Sequence, residues 1–144
     1  MSRWLLNTNV LSEPRRRQPT PSVSVFVASR QLHLLYVSTI TFAEIRFGIE
    51  LLPDPARRID ALTHWLDHRL RPMFDGRLLP LCEDTLLQWR LIIESGRERG
   101  HTFSHPDVLI VASAARHGLT VVTRDTADFE AARVSVVNPW VLGT

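Results

Sequence analysis

Short, nearly all-apolar runs separated by longer helical stretches set the strongest limit on how this chain folds. The runs are Leu5-Leu6, Leu32 to Val37, Leu78 to Leu81, Leu119 to Thr123 and Val134 to Val137. A strand with no polar face must be covered on both sides, which is the condition of a parallel sheet held between helices. With 144 residues the chain fits one domain with a substantial core, here residues 1–144. No internal repeat, low-complexity tract or linker divides it.

The segments between these runs carry helical spacing and end signals. Val10-Leu11-Ser12-Glu13 predicts a short helical turn halted by Pro14, and Ser22 the cap of a helix burying Val23, Phe26 and Val27. A strongly apolar helix is expected over Phe42 to Leu52, set apart by Pro53-Asp54-Pro55 from a longer one over Ala56 to Leu70, closed by Pro72 and Gly76. Glu83-Asp84 opens a helix through Trp89, Ile92 and Ile93 to Gly96 or Gly100. Ser104-His105-Pro106-Asp107 has helix-start chemistry for a helix running to His117 and ended by Gly118. A short helical segment, Asp125 to Ala132, precedes the last strand.

Apolar residues make up 44% and charged residues 22%, an ordinary balance for a soluble globular protein. No run approaches the ~20 apolar residues a membrane span needs, and the start lacks a secretory signal, so a cytoplasmic protein is expected. Cys82 is the single cysteine, which rules out an intrachain disulfide or a multi-cysteine zinc site; its apolar run predicts a buried, unreactive thiol. All 17 basic residues are arginine, and against 15 acids they leave a net charge of +2. A pI near 9.4 permits nucleic-acid binding without demanding it. Arg15-Arg16-Arg17 reads equally as a solvated loop or as a phosphate-backbone contact.

The polar residues take on meaning once placed on this frame. In a parallel sheet, residues just after strands share one edge with residues opening the next helix. Asn7, Glu44 and Asp125 are therefore expected as neighbours. Asp107 opens a helix leading into a strand, which puts it at the opposite edge unless the helix containing Trp89 turns the chain around. Glu44 shares its helical face with Phe47, Gly48 and Leu51, which implies a partly buried carboxylate. Taken singly, each acid has a bland reading: Glu44 as a capping-box partner of Thr41, Asp107 of Ser104, and Asp125 as an N-cap. Taken jointly, several carboxylates without a cysteine or histidine cluster favour a hard cation, Mg²⁺ or Mn²⁺, acting on phosphate esters. A Walker loop, a dinucleotide glycine fingerprint, a Gly-x-Ser-x-Gly elbow and a His-Glu-x-x-His pattern are all missing. His101 and His105 flank the loop near Asp107, and His105 reads first as a loop-surface histidine, with a phosphate contact as its functional reading.

Leu5-Leu6-Asn7-Thr8-Asn9-Val10-Leu11-Ser12-Glu13 resembles the opening motif of PIN-domain proteins. Thr41-Phe42-Ala43-Glu44-Ile45-Arg46-Phe47-Gly48 is similar to their second signature, and Pro106-Asp107-Val108-Leu109-Ile110-Val111-Ala112 to the third. Val121 to Phe129 and Val136-Val137-Asn138-Pro139-Trp140 complete an ordered match over nearly the whole chain, with VapC and FitB toxins the nearest kind. The resemblance implies a PIN-like three-layer α/β/α fold with a five-stranded parallel sheet. It also implies a Mg²⁺- or Mn²⁺-dependent ribonuclease toxin of a type II toxin–antitoxin pair. That toxin would be a homodimer held inactive by a small VapB-like antitoxin whose tail fills the acidic groove, and would meet operator DNA only through the antitoxin. Carried over by position, the catalytic and metal-binding residues fall on Asn7, Glu44, Asp107 and Asp125. Thr8 and Thr123 would support the shell or touch substrate, and Arg15 would contact the RNA.

The departure lies at position 7, where the family has aspartate. An amide still offers a neutral oxygen to a cation but removes one negative charge from the site. The exchange is nearly isosteric and the other three acids are intact, which favours deliberate inactivation of a nuclease over drift. The alternative is a natural non-catalytic PIN protein that binds antitoxin or RNA. A haloacid-dehalogenase-like phosphatase is a distant third, because neither Asn7 nor Asn9 can form an aspartyl-phosphate and the chain has no lysine.

Overall fold

The computed structural model describes residues 2–53, 56–103 and 105–141, without the side chains of 56–58, 105 and 106. Five strands, β1 (Trp4–Leu6), β2 (Leu35–Ser38), β3 (Leu78–Leu79), β4 (Thr120–Val122) and β5 (Val136–Val137), form one parallel sheet in the order β3-β2-β1-β4-β5. Among the described residues the α-helices are α1 (Thr8–Ser12), α2 (Pro21–Ala28), α3 (Thr39–Glu50), α4 (Ala56–Trp65), α5 (Arg71–Met73), α6 (Glu83–Glu98), α7 (His105–His117) and α8 (Ala127–Ala131). This is the expected α/β architecture, a central sheet between helical layers.

The all-apolar strands are explained by two separate cores, one on each face. Leu6 and Val122 pair across β1 and β4 and pack with Val10, Phe26, Phe42 and Leu66 beneath the helices α1 to α5. Leu5 and Val121, one residue back, point the other way and pack with Ile110, Val111 and Phe129 from α7 and α8. Adjacent residues of β1 thus serve opposite cores, as strand geometry requires. No helix among the described residues is long and apolar enough to cross a membrane.

Helix starts depart from several expected caps. Thr20 and Pro21 open α2, so Ser22 lies inside it. Ser38 caps α3 by accepting from the Ile40 amide at 3.1 Å, three residues before Thr41, which is fully buried. Pro14 extends α1 into a 3₁₀ turn (Glu13–Arg15), because a proline in a first turn sacrifices no hydrogen bond. Pro72 likewise does not close its helix: α4 continues through a π turn (Leu66–Leu70) into α5. Asp54, Pro55 and Ser104 lie outside the described residues. Leu32 to Leu34 form a 3₁₀ turn ahead of β2, and Cys82 is partly exposed at the head of α6. Hydrogen bonds with Thr85 at the first turn of α6 hold its thiol below the usual range, contrary to the buried, inert thiol expected.

Candidate metal and nucleic-acid site

Strand β1 lies between β2 and β4, and the chain leaves β1 toward β2 but leaves β4 toward β5. Where neighbouring connections diverge in this way, a crevice opens at the carboxyl edge of the sheet. Asn7 and Thr123 are the residues that follow β1 and β4 at that point, and the Asn7 amide still donates to the Val122 carbonyl at 3.0 Å.

Asn7 caps α1, its Oδ1 accepting from the Thr8 amide at 2.9 Å. That bond sets the orientation of the side chain, so Nδ2 faces Thr123 and donates to Oγ1 at 3.1 Å. Thr8 then links the first strand to α3, its hydroxyl donating to Glu44 Oε1 at 2.9 Å. The capping-box reading of Glu44 is thereby set aside: α3 is capped by Ser38, and Glu44 points across to α1. Burial pushes the half-buried Glu44 carboxyl above its usual range; the Thr8 bond opposes this and the negative charge of Asp107 adds to it.

The charge felt from Asp107 places this acid at the same edge, and the helices show how. Asp84 at the head of α6 meets Arg116 at the tail of α7 at 3.4 Å, while Gly96 near the end of α6 abuts Phe103 ahead of α7. The two helices are antiparallel, so the helix containing Trp89 does turn the chain around. Asp107 therefore begins its descent toward β4 from the carboxyl edge.

Asp125 sits apart. It is exposed, its amide donates to Thr123 Oγ1 at 3.3 Å, and its carboxylate takes a long bond from Asn9 Nδ2 at 3.5 Å. It is not the cap of α8, which begins from Thr126. Among the described residues, no three histidine, cysteine, aspartate or glutamate side chains converge as a metal cluster. What the edge offers is two mutually repelling carboxylates, Glu44 and Asp107, beside an amide oxygen with one spare lone pair. That all-oxygen donor set fits a hard dication, with one charge fewer than three acids would give. Thr123 has no exposed surface, and its hydroxyl faces the side chains of Asn7 and Asn9. The side chain of His105 lies outside the described residues.

Asn9 was not singled out from the sequence as a site residue, although it stands two positions after Asn7 in the same motif. Its Nδ2 also reaches Thr123 Oγ1, at 3.2 Å, while its Oδ1 is buried without a partner. Glu13 was likewise missed. Its carboxylate is only 2% exposed and accepts from the Thr20 amide at 2.9 Å and from Arg16 at 3.5 Å. Burial alone would raise its pKa, but the Thr20 bonds and the Arg16 charge prevail and hold it below the usual range.

From Thr8 and Glu44 a groove of about 390 Å³ runs over Ile45, Leu62 and Trp65. Arg15 lines it with its guanidinium 5.2 Å from the Trp65 ring, a cation–π contact. Arg15 and Arg16 both line the groove, and Arg16 also pairs with Glu13.

Known proteins share the sequence and fold of this chain. The PIN domain family matches residues 4–134. Plasmid stability protein StbB of Pseudomonas syringae pv. tomato is 42% identical over 136 residues, covering 94% of this chain and 97% of that protein. Toxin FitB of Neisseria gonorrhoeae is 40% identical over 136 residues, with the same shares. VapC ribonuclease Y4jK of Sinorhizobium fredii is 35% identical, covering 94% and 96%. Among solved structures, FitAcB from Neisseria gonorrhoeae superposes with a TM-score of 0.92 at 40% identity, over 96% of this chain and 99% of the other. FitAB bound to a DNA fragment gives 0.91 at 38%, over 98% of each. The chain belongs to the PIN domain family and, within it, to the kind represented by FitB and VapC.

Proposed function

We propose that this chain is the toxin of a type II toxin–antitoxin pair, a Mg²⁺- or Mn²⁺-dependent ribonuclease that Asn7 leaves catalytically impaired. The observation that carries the reading is the half-buried Glu44 carboxyl, held by Thr8 and lying within reach of the Asp107 charge, beside Asn7 at the sheet's switch point. Asn7, Glu44 and Asp107 would hold the cation, with Asp125 orienting water from the Asn9 side. A hard dication bound there supplies water of lowered pKa and neutralises charge on the phosphate under attack. Thr8 holds Glu44 at this edge, and Arg15, which lines the groove, would meet the strand's phosphates. Cleavage would leave a 5′-phosphate and a 3′-hydroxyl.

The partner is a small antitoxin of the VapB type, whose tail fills the groove running from Thr8 and Glu44 to Trp65. Operator DNA is reached only through that antitoxin, and the working unit is a homodimer. The relatives solved as FitAB with DNA and as FitAcB support a partnered toxin. A natural non-catalytic protein that binds antitoxin or RNA would use the same groove, whose lining does not include Asn7.

The experiment incubates the chain and its Asn7→Asp variant with RNA in Mg²⁺ or Mn²⁺. Restoring a first ligand should raise cleavage by at least the ~10–100-fold that outer-shell partners of metal sites command. Adding Glu44→Gln should abolish that gain. Equal, negligible cleavage by both forms would favour the non-catalytic reading.

A further inference from the structure

A second cavity, also about 390 Å³, lies against the first turn of α7. Its walls are Ile93 and Arg97 of α6, His101, Thr102 and Phe103 of the connection, and Val108 of α7. Val108 directly follows Asp107, so the cavity and the acidic edge share one helical turn. None of its residues belongs to the Asn7–Thr8–Glu44 chain of contacts.

Two rings form its π surface. The Phe103 ring lies directly on the backbone of α6 at Gly96, where an added Cβ would come within 2.4 Å of it. His101 meets Phe103 edge-on, with centroids 4.4 Å apart, and its Nε2 lies 3.1 Å from Asp128 Oδ1 near the start of α8. Three elements thus position the pair. Ile93 and Val108 make the remaining walls apolar. Among the described residues Arg97 pairs with Glu94 at the surface, at 2.7 Å, and exposed pairs of this kind contribute at most about 1 kcal/mol. Its guanidinium is free to exchange that carboxylate for a phosphate.

An apolar slot with aromatic faces and a guanidinium is the chemistry that takes a base of a single strand, the base stacking and the arginine meeting the backbone. The volume lies at the lower end of the roughly 300–1,000 Å³ typical of small-molecule sites, enough for one nucleoside. We infer that this cavity is a nucleobase subsite for the RNA strand whose phosphodiester lies at the Asn7–Glu44–Asp107 edge. The inference rests on the ribonuclease reading and adds to it where a base beside the reacting phosphate is held.

The test measures binding of labelled single-stranded RNA oligonucleotides to the full chain by fluorescence anisotropy, with one abasic nucleotide stepped along the strand. Base–aromatic stacking predicts a loss of about five- to a hundredfold at one abasic position. Phe103→Leu should lose a similar factor on the intact strand, and the two losses should not add. Arg97→Gln, at an exposed side chain that does not threaten folding, should weaken binding severalfold and lower the salt slope by about 0.7, one single-strand phosphate contact. Should Phe103→Leu unfold early, Arg97→Gln and the abasic series decide. RNA bound with indifference to Arg97→Gln and to every abasic position overturns the subsite and leaves the ribonuclease reading standing. A chain that binds no RNA overturns both.

Discussion

Thr123 receives three N–H groups on one hydroxyl oxygen, from the side chains of Asn7 and Asn9 and the amide of Asp125. A hydroxyl has two lone pairs and one proton, so three donors overfill it and its own proton is left facing donors. A carboxylate at position 7 would accept that proton and leave two donors for two lone pairs. Thr123→Val should consequently cost more in the Asn7→Asp chain than in this one. The difference, read from denaturant melts, should reach the ~1.5–3 kcal/mol of a hydrogen bond to a charged group; equal costs would refute the count. Glu44 predicts a pH effect of the opposite kind to a salt bridge. Its raised pKa means that the folded protein holds this proton more tightly than the unfolded chain, so stability falls as pH rises from the ordinary carboxylate range through the raised value. Metal-free Glu44→Gln should therefore melt higher than its parent at neutral pH, with the gap closing in acid. A lower midpoint at neutral pH would remove the argument that burial, with the Asp107 charge adding to it, disfavours the ionised Glu44.

Among the elements, the short turn after α1 depends on Glu13, whose buried carboxylate ties the 3₁₀ turn to the start of α2. Glu13→Ala leaves the Thr20 amide without its acceptor and should cost about 1–3 kcal/mol in a denaturant melt. Because the folded pKa is depressed, that stabilisation is present above the ordinary carboxylate range and lost as pH falls through the lowered value, so variant and parent should converge in strong acid. A constant difference across that range would contradict the assignment. The elements also show what was legible beforehand. Each described strand lies within one of the apolar runs, because β1, β2 and β4 are packed between the cores and the edge strands still set Leu79, Val136 and Val137 against them, while Leu78 stays exposed. Strand lengths and helix caps were less legible: Ser38 rather than Thr41 starts α3, since β2 stops pairing with β3 at Ser38 and Thr41 is swallowed by the core. The convergence of Asn7, Glu44 and Asp107 could be reasoned out from strand ends and a helical reversal. The part of Asn9 could not, because no spacing encodes that its side chain reaches both Thr123 and Asp125.

For the molecule as a whole, a ligand that binds only the folded chain raises its melting midpoint in step with concentration over dissociation constant. Mg²⁺ should therefore stabilise Asn7→Asp more than this chain. At a hundred times the variant's dissociation constant the gain should be about 2.7 kcal/mol. Identical Mg²⁺ responses would mean that position 7 does not reach the cation. The antiparallel pairing of α6 and α7 bears on how such a molecule changes over generations. From Asp107 to His117 a helix descends about 15 Å at 1.5 Å per residue, close to the ~13 Å that Leu119 to Thr123 climb back at 3.3 Å each. The helix is a ruler cut to the depth of the sheet. One residue gained or lost within it would swing the acid about 100° around the axis, away from Glu44. Length changes among descendants of this chain should accumulate ahead of Asp107 and be purged between it and Gly118.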